Sequence, residues 1–130
     1  MRCLPDLTLG SDIPVWLTRE QFLQHFDQAD FEFRENTIVA HSYLAAWFHT
    51  AADGIPRFLL PTVQFVAGKT QFINGRHRTA VLFAYLEEVP VAFAATNKAS
   101  QAFLGRLALR PLSLHEFVDL PDLPISESLP

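Results

Sequence analysis

The chain has 130 residues, 49% of them hydrophobic and twelve of them Phe, which suits one compact core rather than a disordered chain or several domains. Ten Lys and Arg against fourteen Asp and Glu give a formal charge of −4, which argues against a general nucleic-acid binder, because affinity for duplex DNA comes mostly from neutralising phosphates. A single Cys excludes an internal disulfide framework, no run approaches the ~20 apolar residues of a membrane helix, and Met1 to Gly10 lacks a signal peptide's apolar core, so a cytoplasmic domain is expected.

The first twelve residues read as an N-terminal arm, with Cys3 at a loose terminus. Thr18-Arg19-Glu20-Gln21 is a capping box flanked by Leu17 and Phe22 as a hydrophobic staple, so a helix is expected from Arg19 to about Phe26 with Phe22, Leu23 and Phe26 as its buried stripe. Phe31 to Glu35 alternates with period 2 and reads as a short half-buried strand or a loop pinned by two Phe. Leu44, Trp47, Phe48 and Ala51 recur at helical spacing, and Gly54 stands where a C-terminal glycine cap belongs, so a second helix is expected over Tyr43 to Ala52. Thr62 to Val66 and Thr70 to Ile73 read as a hairpin joined by Ala67-Gly68-Lys69. Val89 to Phe93 reads as the next strand, and Ser100 to Leu109 as a helix with Phe103, Leu104 and Leu107 inward and Pro111 as its stop. Residues 110–130 hold four prolines and four acids, and from Leu120 onward an extended or disordered tail is expected, either frayed or docked on a partner.

The chemistry-bearing stretch is Phe72-Ile73-Asn74-Gly75-Arg76-His77-Arg78-Thr79-Ala80. Between a strand and a helix, Gly75 lets the backbone turn closely past a ligand, and the first turn of the helix offers N–H groups and a positive dipole end to an anion. Arg76 and Arg78 add planar forks that match phosphate oxygens. The competing reading takes Asn-Gly as a two-residue hairpin turn and Thr79 to Leu86 as a returning strand. Ala80, Ala84 and the lack of period-2 alternation favour a helix packed on nearly all sides. Arg57, Lys69, Arg76 and Arg78 form a candidate cationic face, of a size for a nucleotide rather than a duplex.

Ile73 to Ala80, followed by a helix and Val89-Pro90-Val91, resembles the second box of the ParB/sulfiredoxin-like superfamily, in which such a turn opens a helix and grips a nucleotide's phosphates. Ile13 to Leu17 resembles that family's first strand, Tyr43 to Ala52 its second helix and Pro61 to Val66 the strand that begins after a proline, so the likeness covers roughly residues 13 to 94. It implies an α/β (α+β) domain over residues 13–109, with a small mixed sheet and helices. The implied cofactor is a nucleoside triphosphate, ATP or CTP, with Mg²⁺, held by Asn74, Gly75, Arg76, His77, Arg78 and Thr79.

Departures from the family narrow the function. Arg76 stands where sulfiredoxins carry the catalytic Cys, so sulfinic-acid repair is not expected. Too few residues follow the last family strand for a partition protein's helix-turn-helix domain, so sequence-specific DNA binding is not expected either. The likeness to small inhibitors of plasmid transfer implies nucleotide hydrolysis with a linked nuclease step. A non-enzymatic module that binds a nucleotide or a protein competes with that reading, and a small-molecule kinase of the serine type comes third. Glu32 and Glu35 are the candidate catalytic acids, with His77 giving a hydrogen bond or a proton. His41 and His49, eight residues apart on the expected helix, are too far apart to share a metal, and His25 and His115 have no companions that suggest a site, so no metal centre is expected. The Phe-rich composition also allows an apolar surface for a protein partner or for self-association, and no membrane contact is expected.

Overall fold

The computed structural model describes residues 1–26, 42–66, 69–96 and 98–127. Its strands are β1 (Arg2–Asp6), β2 (Ile13–Thr18), β3 (Tyr43–Leu44), β4 (Phe48–Thr50), β5 (Pro56–Leu59), β6 (Thr62–Val66), β7 (Lys69–Asn74), β8 (Glu88–Phe93), β9 (Arg110–Pro111), β10 (Val118–Asp119) and β11 (Ile125–Ser126). The helices are α1 (Arg19–His25), α2 (Arg76–Phe83) and α3 (Lys98–Leu107). A mixed five-stranded sheet runs β7-β6-β8-β2-β9, a four-stranded one runs β10-β1-β5-β4, and β11 pairs with β3. Helices and mixed sheets around one apolar cluster make this a small α+β domain.

β8 is the spine of the five-stranded sheet. Val89, Val91 and Phe93 are fully buried there, and Pro90 and Ala92 on the alternate positions are buried as well, as expected of a strand covered on both faces. Proline is tolerated in this central strand because β6 pairs in parallel only with Ala92 and Phe93, so Pro90 lies beyond the end of that ladder. The same ladder fixes Pro61, whose carbonyl accepts the Ala92 N–H at 2.8 Å.

α1 forms as its capping box directs. The Thr18 hydroxyl accepts the Gln21 N–H at 3.1 Å, and the Gln21 side chain accepts the Thr18 N–H at 3.2 Å. Leu17 and Phe22 are buried, and Phe22 stacks on Phe26 with ring centroids 4.6 Å apart. Leu23 was expected in the stripe but is exposed, because the core lies under Phe22 and Phe26 only. Arg19 closes the far end of α2 by donating to the carbonyls of Phe83 and Leu86, where a cation meets the negative end of the helix dipole.

The helix expected over Tyr43 to Ala52 is replaced by β3, a 3-10 turn at Ala45–Trp47 and β4. Its aromatic residues satisfy helical spacing, yet they pack equally well on a pleated surface once β4 finds β5 as an antiparallel partner. Gly54 is accordingly a hairpin residue and not a helix cap: its φ is 77°, and its N–H donates to Ala51 O at 2.9 Å in a tight turn. Asp53 completes the loop by accepting the Ile55 N–H and a two-pronged contact from Arg57. The strand or loop expected over Phe31 to Glu35 lies outside the described residues.

The terminal segments are structural. β1 sits inside the four-stranded sheet with Cys3 fully buried, which corrects the expectation of a loose arm. Burial pushes the Cys3 thiol pKa up. The C-terminal segment is extended as expected, but it docks on its own chain: β10 pairs with β1, β11 pairs with β3, and the buried Tyr43 hydroxyl donates to Pro121 O at 2.6 Å. Pro111 lies in β9 rather than ending the helix, which stops at Leu107 before Ala108 at φ 52°. Among the described residues, no helix is long and apolar enough to cross a membrane.

Candidate functional site

Strand β7 delivers the chain to the turn, and its pairing with β6 slips by one residue just before it. Thr62 opposes Asn74 and Val63 opposes Phe72, so Ile73 is the extra residue of a β-bulge. Gly75 follows with φ 86° and ψ 18°, left-handed backbone that a side chain adopts poorly. Space is the second reason for glycine there. A Cβ on Gly75 would stand 2.6 Å from both Cα and Cβ of Pro61, which is buried and held by β8. The hairpin reading of Asn-Gly therefore gives way to strand, turn and helix.

α2 begins at Arg76, its first intrahelical bond running from Thr79 N to Gly75 O at 3.0 Å. From Arg78 to Phe83 every residue is buried, which is the all-round packing its apolar sequence calls for. A cavity of about 210 Å³ opens where the helix starts, lined by Phe72, Ile73, Asn74, Gly75, Arg76 and His77. The helix thus points its positive dipole end at the cavity.

The two arginines of the turn have different places. Arg76 is half-buried on the cavity wall, its guanidinium 5.8 Å from the centroid of the Phe72 ring. Arg78 turns inward and is only 6% exposed. It donates to Leu59 O at 2.5 Å and to the Asn74 Oδ1 at 3.1 Å, while its Nε is buried with no hydrogen-bond partner among the described residues. Burial pulls the Arg78 pKa down to about 10, so the group stays charged at neutral pH. Thr62, directly across from Asn74, also carries a buried hydroxyl with no hydrogen-bond partner among the described residues.

Of the residues expected to hold a phosphate, the structure brings Asn74, Gly75, Arg76 and His77 to the cavity. Arg78 and Thr79 support it from behind. The Thr79 hydroxyl, fully buried, donates to Gly75 O at 3.0 Å rather than facing a ligand. Glu32 and Glu35, the expected acids, and His41 lie outside the described residues. The expected four-cation face does not assemble: Arg57 is engaged with Asp53 in the other sheet, and Lys69 begins β7 five residues before Asn74, roughly 17 Å of extended strand. His49 lies on β4, not on a helix, and meets the Asp6 carboxylate. His25 packs edge-on against Phe103.

No family model matches the chain. No curated protein and no solved structure matches it either. Sequence reasoning missed Pro61, whose contact makes glycine obligatory at 75, and Ile73, whose exposure follows from a register slip. Neither leaves a local signal, since both depend on how β6 meets β7 and β8.

Proposed function

We propose that the turn from Asn74 to His77 binds the phosphate end of a nucleoside triphosphate, in a cytoplasmic domain of the ParB/sulfiredoxin-like kind. The observation that carries this reading is the cavity at the start of α2, where a left-handed Gly75, the helix dipole and Arg76 converge on one space. Such a space favours negative charge: the dipole contributes roughly 0.3–1 kcal/mol and a guanidinium–phosphate contact about 1.5–3 kcal/mol. Arg78, buried and without a paired carboxylate among the described residues, adds positive potential that an anion in the cavity would offset. Among the described residues no three His, Cys, Asp or Glu gather as a metal cluster.

Calorimetric titration with ATP, CTP and their diphosphates, with and without Mg²⁺, tests the proposal, each titration being followed by an assay for released phosphate. Arg76→Ala is expected to weaken binding by roughly ten- to a hundred-fold with a small change in thermal midpoint, because this side chain lines the cavity from its wall. Wild-type protein that binds none of these nucleotides, or Arg76→Ala that binds as wild type does, overturns the reading.

A further inference from the structure

The cavity's lining is divided. Asn74, Gly75, Arg76 and His77 form a polar end at the helix, while Phe72 and Ile73 form an apolar one. Phe72 is occupied as a wall, since its ring supports Arg76 and packs on Phe22 and Phe26. Ile73 is different. As the bulged residue it is carried out of the ladder beside the turn, and it stays 50% exposed while still lining the cavity. A bulge re-aims a side chain, and here it sets an aliphatic surface at the edge of a cationic space.

Size points the same way. Pockets that enclose a whole drug-sized ligand run from about 300 to 1,000 Å³, so a cavity of about 210 Å³ holds the phosphate end of a nucleotide and leaves its organic part at the mouth. An inorganic polyphosphate has nothing to lay on an aliphatic side chain. A nucleotide has the carbon face of its sugar and the face of its base.

We propose that Ile73 is a specificity-determining residue of this site, the shelf on which the organic part of a nucleoside phosphate rests while its phosphates enter the cavity, so that nucleotides are selected over inorganic polyphosphate. The inference rests on the phosphate-binding reading above. It requires that the preference for the organic part reside in Ile73, whereas affinity for phosphate resides in the turn.

Dissociation constants for ATP, CTP and inorganic tripolyphosphate, measured by calorimetry on wild type, Ile73→Thr and Ile73→Leu, separate the two. Thr keeps the β-branch that suits a strand and removes most of the apolar surface; Leu restores that surface. Wild type is expected to bind nucleotide more tightly than tripolyphosphate. Ile73→Thr is expected to lower the nucleotide-to-tripolyphosphate affinity ratio about three- to tenfold, the loss that goes with half of an isoleucine's burial, and Ile73→Leu to keep the ratio within about twofold. A ratio unchanged in Ile73→Thr, or a wild type that prefers tripolyphosphate, overturns the Ile73 shelf while leaving the phosphate site standing. Wild type that binds neither nucleotide nor tripolyphosphate removes the phosphate site and the shelf with it.

Discussion

The hairpin that carries the candidate site joins residues close in sequence, Thr62 with Asn74 and Val66 with Lys69. The four-stranded sheet instead draws Arg2 and Cys3 against Asp119 and Val118 from the other end of the chain. Closing a long loop costs more entropy than closing a short one, and nothing local rewards it until the partner strand arrives. The four-stranded sheet therefore depends on both terminal segments, while the turn at Gly75 depends on Pro61, a neighbour only fourteen positions back in the sequence. One residue spans the difference. Arg78 joins Asn74, at the end of β7, to Leu59, in β5 of the other sheet.

Gly75→Ala should break the site side of this comparison most severely. The added methyl meets buried backbone at Pro61 and demands a left-handed φ of a residue that resists it, two penalties that together cost about 2–5 kcal/mol. Urea unfolding should show the unfolding free energy falling by that much, with nucleotide binding lost in whatever fraction still folds. A variant as stable as wild type would mean that Pro61 gives way, and that the close approach is not what fixes the turn.

How far the sequence disclosed these features follows from the same contrast. The capping box of α1, the hairpin β6–β7, the glycine turn and the buried helix α2 are written in neighbouring residues, and each forms where local pattern puts it. Tyr43 to Thr50 misled because its aromatic spacing satisfies a helix and a strand alike, and the decision belongs to β5, a distant partner that periodicity does not see. The terminal segments were opaque for the same reason: two-residue strands such as Val118–Asp119 carry almost no pattern of their own. Within the site, sequence named Arg76 and Arg78 as equivalent forks. Their separation into a cavity wall and an internal strut arises from the helix turning Arg78 toward Leu59 and the core.

Arg78→Met sharpens that division. Methionine fills similar space without the charge, which relieves a desolvated guanidinium, but it leaves Leu59 O and the Asn74 side chain without their donor. The second effect should win, with a net loss of about 1–3 kcal/mol in unfolding free energy. Arg76→Ala should show the opposite profile, with weak ligand binding and a nearly normal thermal midpoint. If Arg78→Met proves as stable as wild type and loses only nucleotide affinity, Arg78 faces the ligand and the strut is wrongly assigned.

Tyr43→Phe tests the other region with the smallest expected change. The Tyr43 ring is fully buried and its hydroxyl holds Pro121 O, while its own backbone N–H donates to Pro124 O at 2.8 Å, so this residue clasps the C-terminal segment twice. Burial pushes its hydroxyl pKa up, which keeps it protonated as a donor. Removing the hydroxyl deletes one clasp and spares the ring, at a cost of about 1 kcal/mol. Because the segment is held by short ladders, the loss should appear as local opening rather than global unfolding. Hydrogen exchange should quicken at the Leu120 and Tyr43 amides, which bond Met1 O and Pro124 O, while Ala92 and Ala94, bonded to Pro61 O and Val63 O beside the site, keep their protection. Equal acceleration at all four amides would show that the two sheets open as one cooperative unit, and the independence argued from their sequence separation would fall.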